Sequence, residues 1–244
     1  MQALGASVLP LPIIDIQEVE DKAPLDMALG ALDQYDWILF TSTYAVQFVV
    51  RRLTERGIHL EELPQLKVCA IGPGTAAILA GCGIATAIMP NKYVAEGIFQ
   101  ALKDYHGGLS GLAGLRILLP RALEARDVLP RELGAAGALV DIVPCYRNTP
   151  GQIEATALHA LRTRHLDLLV FTSSSAVHHF VTLIGEADAL EMLQRTPIAA
   201  LGPITARTVA SLGVKAAVIP DHHSVPALLA EIGIWGEKNL RSQH

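Results

Sequence analysis

Short apolar runs alternate with amphipathic stretches along the chain. Trp37–Phe40 and Leu168–Phe171 are unbroken apolar runs, a pattern suited to strands covered on both faces. Each run is followed by Thr-Ser. Val46, Val49, Val50 and Leu53 then recur at i, i+3, i+4 and i+7, and Val177, Phe180, Val181 and Ile184 repeat that spacing. Each set makes one apolar stripe of a helix. Ser42 and Ser173 stand where helix N-caps are expected. Strand-then-helix units in series predict an α/β fold with parallel sheets and helices on both faces. In such folds the strand-to-helix loops gather on one edge, where ligands bind.

The pattern occurs twice. Asp36-Trp-Ile-Leu-Phe-Thr-Ser42 matches Asp167-Leu-Leu-Val-Phe-Thr-Ser173 at an offset of 131. Ile71-Gly-Pro-Gly-Thr75 matches Leu201-Gly-Pro-Ile-Thr205, and Ile88-Met-Pro90 matches Val218-Ile-Pro220, both at 130. Gly83 falls opposite Gly213. The copies differ in one place. The second contains Leu115-Arg-Ile-Leu-Leu-Pro120, a helix expected near Glu124–Leu133, then Gly137-Ala-Leu-Val140 and Pro144. The first starts at its equivalent of Gly137, which is Gly5. Residues 115–136 therefore have only residues 1–4 as counterparts. The expectation is that the N-terminal strand and helix of the first lobe are missing, either because the real reading frame starts upstream or because the element has been lost.

Composition narrows the function classes. The 244 residues are 51% hydrophobic and 18% charged, enough to build a core and too apolar for disorder. A net charge of −5 gives no basic footprint, which argues against nucleic acid. Val68–Asn91 carries no charge, and about 20 apolar residues can span a bilayer. Gly72-Pro73-Gly74 and Gly81-Cys82-Gly83 punctuate it, and its counterpart carries Arg207 and Lys215, so a strand, a helix and a second strand are expected instead. There is no basic n-region with an apolar core that would mark a signal peptide. Cys69, Cys82 and Cys145 have no metal-site spacing and read as small hydrophobes of a reducing compartment.

Phosphate-loop, dinucleotide, nucleophile-elbow and zinc-protease signatures are absent. His178-His179 and His222-His223 are sequence neighbours, and neighbours on a helix do not face one point. Four polar turns at strand ends carry the candidate chemistry: Thr41-Ser42-Thr43, Gly72-Pro73-Gly74-Thr75, Thr172-Ser173-Ser174-Ser175 and Gly202-Pro203-Ile204-Thr205. Each opens a helix, whose first N–H groups and partial positive charge suit carboxylates or phosphates. Simple capping is the plainer alternative for any one of them. Arg121, Arg126, Arg147 and Arg207 lie near strand ends, where guanidinium groups can pair with carboxylates.

These features together resemble the uroporphyrinogen-III synthase family. The resemblance runs from Leu4-Gly5 to about Leu229. It includes strand-Thr-Ser in both copies, the Gly-Pro-x-Thr-Ala turn, Ala125-Arg126-Asp127-Val128-Leu129 and Val143-Pro144-Cys145-Tyr146-Arg147. It implies two similar lobes joined by a two-stranded extended linker, with residues 1–13 plus 150–244 in one and 14–149 in the other. It further implies a cytoplasmic, monomeric lyase that needs no metal or organic cofactor. Such an enzyme binds hydroxymethylbilane, a linear tetrapyrrole, between its lobes. It removes the terminal hydroxyl, inverts the last ring and closes uroporphyrinogen III. By resemblance Tyr146 matches the family's active-site tyrosine, a candidate general acid. Thr75 and Thr205 match threonines of the substrate site. Thr41, Ser42, Arg121, Arg126, Thr172, Ser173 and Ser174 complete the candidate contacts. Two alternatives keep the same residues: a non-catalytic module binding an anionic small molecule, and an inactive truncated synthase.

Overall fold

The computed structural model describes residues 5–60 and 65–239. Residues 1–4, which the repeat aligns with the end of segment 115–136, lie outside them. The chain divides into two compact units: residues 16–148, and residues up to 15 together with those from 149 on. Two strands run through the borders, β1 (Ile14–Glu18) and β5 (Leu139–Pro150).

In the 16–148 unit, β2 (Trp37–Phe40) lies between β3 (Lys67–Ala70) and β4 (Arg116–Ala122), parallel to both. The sheet order is β1-β5-β4-β2-β3, and β5 is parallel to β4. All four residues of β2 are fully buried. Alternation sends Ile38 and Phe40 to one face, with α1 (Ala23–Gly30), α2 (Thr43–Arg56) and α3 (Pro73–Gly81). Trp37 and Leu39 go to the other, with α4 (Ala95–Tyr105) and α5 (Val128–Ala135). The apolar run is explained by this two-sided cover. In α2 the buried side chains are Ala45, Val46, Val49 and Leu53, three of the four expected stripe positions with the residue before them, while Val50 is half-buried at the edge of the cluster.

The other unit repeats part of this plan. There β6 (Leu169–Phe171) and β7 (Ile198–Ala200) pair in parallel, and Val218 bridges Ala199 as Ile88 bridges Cys69. Gly83 and Gly213 both take the left-handed backbone, φ 76° and 79°, which tolerates few other residues. The helices α6 (Ala155–Thr163), α7 (Ser174–Ile184), α8 (Glu186–Arg195) and α9 (Pro203–Ser211) enclose Phe171, Val177, Phe180 and Leu193. A smaller cluster under α10 (Val225–Asn239) holds Ala199, Val218, Leu228 and Ile232.

The units differ where the repeat is incomplete. Among the described residues, β6 pairs only with β7. Leu39 is fully buried, packed in the cluster that contains Leu119 of β4 and Leu129 and Leu133 of α5. Its counterpart Val170 is 40% exposed, because this unit has no described equivalent of those two elements.

Two expectations shift in detail. The helix expected near Glu124 begins at Val128 instead. Residues 123–127 form a loop held by Arg121, and the Asp127 carboxylate that would cap α5 is taken by that guanidinium. Val68–Asn91 folds as strand, helix and bridge, and among the described residues no helix is long and apolar enough to cross a membrane.

Two predictions follow the packing. Leu39→Ala is expected to lower stability by about 2–5 kcal/mol, and Val170→Ala by no more than about 0.5 kcal/mol, measured by urea unfolding. His106 Nε2 accepts the hydrogen of the buried Trp37 indole at 3.0 Å. Burial, and then the nearby Lys67 charge, hold His106 below the usual histidine range. The neutral ring is the one that fits, so the unfolded chain binds the proton more readily. The stability this provides is full above about pH 6.5 and is lost as pH falls through the depressed folded value. The melting temperature of the wild type should drop over that window, and His106→Gln should flatten the dependence.

Candidate active site

Parallel pairing places the polar turns side by side. The Ile71 N–H donates to Phe40 O at 2.9 Å, so the chain leaves β2 and β3 at one level. Thr41–Thr43 and Gly72–Thr75 therefore adjoin, and a Cβ on Gly74 would lie 4.0 Å from Thr43 Cγ2. The other unit repeats this. The Leu201 N–H donates to Phe171 O at 3.0 Å, and Thr208 Oγ1 of α9 donates to Ser174 Oγ of α7 at 2.9 Å.

The four turns are not equivalent. Ser42 Oγ accepts the Ala45 N–H at 3.0 Å, and Ser173 Oγ accepts the Ala176 N–H at 3.1 Å. Both serines are true caps, so α2 and α7 have spent part of their donor capacity on their own side chains. No side chain caps α3 or α9, which begin with Pro73 and Pro203 after extended Gly72 and Gly202. The first-turn N–H groups there have no intrahelical partner and stay available to an anion. Thr75 and Thr205 sit in these turns, 3% and 5% exposed. Thr41 and Ser174 are half-buried and Thr172 is exposed.

An aromatic ring covers each Gly-Pro turn. A Cβ on Gly72 would come within 3.1 Å of Tyr93, and one on Gly202 within 3.3 Å of His223. Tyr93 and His223 are 130 positions apart, the offset of the turns themselves, yet a tyrosine and a histidine did not stand out as a pair in sequence. Extending the repeat alignment past Pro90 and Pro220 would have matched them.

Tyr146 reaches the Thr-Ser turn through an irregularity. In the β4–β5 register Arg121 faces Pro144, but Ala122 faces Tyr146. Cys145 is thus an extra residue, a bulge beside a proline that offers no ladder hydrogen. Strict alternation would send Cys145 and Tyr146 to opposite faces, yet both join the cluster that contains α2. Tyr146 stacks on Phe48 (centroids 5.8 Å apart, planes at 8°) and lies 5.9 Å from the Tyr44 ring. Its hydroxyl is 2.9 Å from Ser42 Oγ. Burial raises the phenol above its ordinary value, and the Ser42 hydrogen bond works the other way. The phenol therefore stays neutral at physiological pH.

The arginines serve different ends. Arg121 is 8% exposed and donates to Ala125 O, Arg126 O and Asp127, so its guanidinium is used in shaping the loop after β4. That loop is tied to β5 by Leu123 N–H to Tyr146 O at 2.8 Å and Asn148 N–H to Glu124 Oε2 at 3.2 Å. Arg147 donates to Gln17 and pairs with Glu20. Arg126 and Arg207 are exposed. Burial pushes the Cys69 and Cys145 thiols up to about 12, which leaves neither available as a thiolate. Among the described residues no three His, Cys, Asp or Glu side chains are grouped to hold a metal.

Comparison with known proteins decides between readings of this geometry. The family model of uroporphyrinogen-III synthase HemD matches residues 1–230. The chain belongs to the uroporphyrinogen-III synthase family. The synthase of Synechococcus elongatus is 30% identical over 243 residues, 98% of this chain and 89% of that protein. The fold matches a crystal structure of a mutant synthase from Thermus thermophilus with a TM-score of 0.66 at 18% identity, covering 98% of this chain and 92% of that one. The Helicobacter pylori synthase gives 0.59 at 21% identity, covering 93% of each. Neither a binding module nor an inactive synthase is favoured by these relatives.

Arg121→Gln should release the 123–127 loop. Loss of its hydrogen bonds is expected to cost about 2–3 kcal/mol. Hydrogen exchange at the Leu123 and Asn148 amides should accelerate.

Proposed function

We propose that this protein closes hydroxymethylbilane to uroporphyrinogen III with loss of water, as a lyase of tetrapyrrole biosynthesis. Family membership across nearly the whole chain carries this reading. The geometry of the 16–148 unit is consistent with the chemistry. A neutral phenol stands beside two turns suited to the substrate's acetate and propionate groups.

Tyr146 acts as the general acid. Its proton passes to the departing hydroxyl, the C–O bond breaks with its electron pair on oxygen, and water leaves. A cationic pyrrole methylene remains. The substituted α-carbon of the last ring bonds to that methylene and forms a spiro centre. Its older bond to the neighbouring bridge carbon breaks, the freed bridge cation re-bonds at the ring's unsubstituted α-carbon, that carbon loses its proton, and Tyr146 recovers one. The uncapped N–H groups before Thr75 bind carboxylate, with Thr41 and the backbone N–H of Ser42 alongside. Thr172, Ser173, Ser174 and Thr205 offer similar groups and are assigned to carboxylate binding as well. Arg126 is an exposed cation for the same purpose. Holding the last ring inverted is a matter of positioning, to which many weak contacts contribute. We place the lobe borders at the two extended crossings, residues 13/14 and 149/150.

The test is an isomer assay. Hydroxymethylbilane closed in the presence of this protein should give mainly isomer III after oxidation and chromatography. Isomer I at the spontaneous ratio would overturn the assignment. Tyr146→Phe should lower kcat by about 100-fold with little change in KM. Because burial keeps the phenol protonated, the alkaline loss of kcat belonging to Tyr146 should lie above about pH 10.

A further inference from the structure

We propose that Ser42 is a positioning residue for Tyr146: its hydroxyl donates to the phenolic oxygen, aims the phenolic proton at the departing group and holds the phenolate formed when that proton is given up. This rests on the reading of Tyr146 as the general acid.

The separation allows either hydroxyl to donate, and we take Ser42 as the donor because its bond to the Ala45 N–H leaves its hydrogen unused. Ser42 Oγ accepts the Ala45 N–H at 3.0 Å, which fixes one lone pair to the first turn of α2. A serine hydroxyl has one hydrogen and two lone pairs. With one lone pair spent, its hydrogen is free for Tyr146 Oη at 2.9 Å. In that arrangement Tyr146 keeps its own proton unshared. The bond then strengthens as negative charge develops on the phenolic oxygen, since hydrogen bonds to charged acceptors are the stronger ones. The ring cannot swing away, because it lies stacked against Phe48 with Tyr44 beside it. The bulge at Cys145 is what delivers it to that face.

The internal repeat separates this role from capping. Ser173 caps α7 with the same bond to the third residue on, Ala176. The position matching Tyr146 in the first copy, 132 residues earlier, is Ile14, which has no hydroxyl. The cap therefore needs no phenol, and among the described residues the Ser42–Tyr146 pair is an addition found in one unit.

The experiment is a double-mutant cycle with Ser42→Gly and Tyr146→Phe on the full chain. Glycine is nearly as good an N-cap as serine, so the helix start is preserved while the hydroxyl is removed. Ser42→Gly should lower kcat at least about tenfold, the factor a hydrogen bond to a charged group carries, with KM within about twofold. Ser42→Thr should restore most of the rate. In the Tyr146→Phe background Ser42→Gly should cost nothing further. In protein carrying 13Cζ-labelled tyrosine, Ser42→Gly should shift the Tyr146 resonance and move its titration upward. An equal loss from Ser42→Gly with and without the phenol would overturn the proposal, since Ser42 would then act on its own. An unmoved Tyr146 titration would overturn it independently of any rate. Full activity in Tyr146→Phe alone would instead remove the general acid, and with it any catalytic purpose for Ser42.

Discussion

Strand β2 is the reference of the unit that carries the candidate site. Its backbone is bonded to β3 on one edge and β4 on the other, and both faces are closed by helices. All four residues are closed off from water, and a one-residue slip would put Trp37 and Leu39 into the space packed around Ile38 and Phe40, a change of shape that a close-packed core resists. The chain must therefore leave β2 at Thr41 at a fixed level. Ser42, the Gly72 turn and the loop after β4 take their places from that level. Tyr146 is added by the one departure from regularity, the extra residue at Cys145.

The duplicated plan has been used unequally. Both copies keep the serine cap, the uncapped Gly-Pro turn, the left-handed glycine and a ring over the turn. Among the described residues, only the 16–148 unit adds a phenol to the cap and an arginine-clamped loop beside it. Each unit thus carries one serine-capped and one uncapped helix start at its strand ends. Among the described residues β6 pairs on one side alone, and the 40% exposure of Val170 against the fully buried Leu39 shows what β4 and α5 contribute in the 16–148 unit.

The sequence by itself determined the class and order of elements, because both depend on local periodicity. Continuous apolar runs of four and stripes at helical spacing are properties of neighbouring residues, and the repeat tested each reading against a second copy. The caps Ser42 and Ser173 were legible for the same reason: a cap bonds to the third residue on. Family membership was legible because it rests on the order of many short motifs. What only the tertiary structure decided involves groups distant along the chain. The Ser42–Tyr146 bond joins residues 104 positions apart. It depends on a bulge that leaves no mark in composition except a proline beside it. Arg121 reads as a ligand for carboxylates because it follows a strand, and only the fold shows its two terminal nitrogens bonded to three groups of its own loop. Whether a polar side chain is free for a substrate depends on which partners folding brings within 3 Å, and that no local pattern contains.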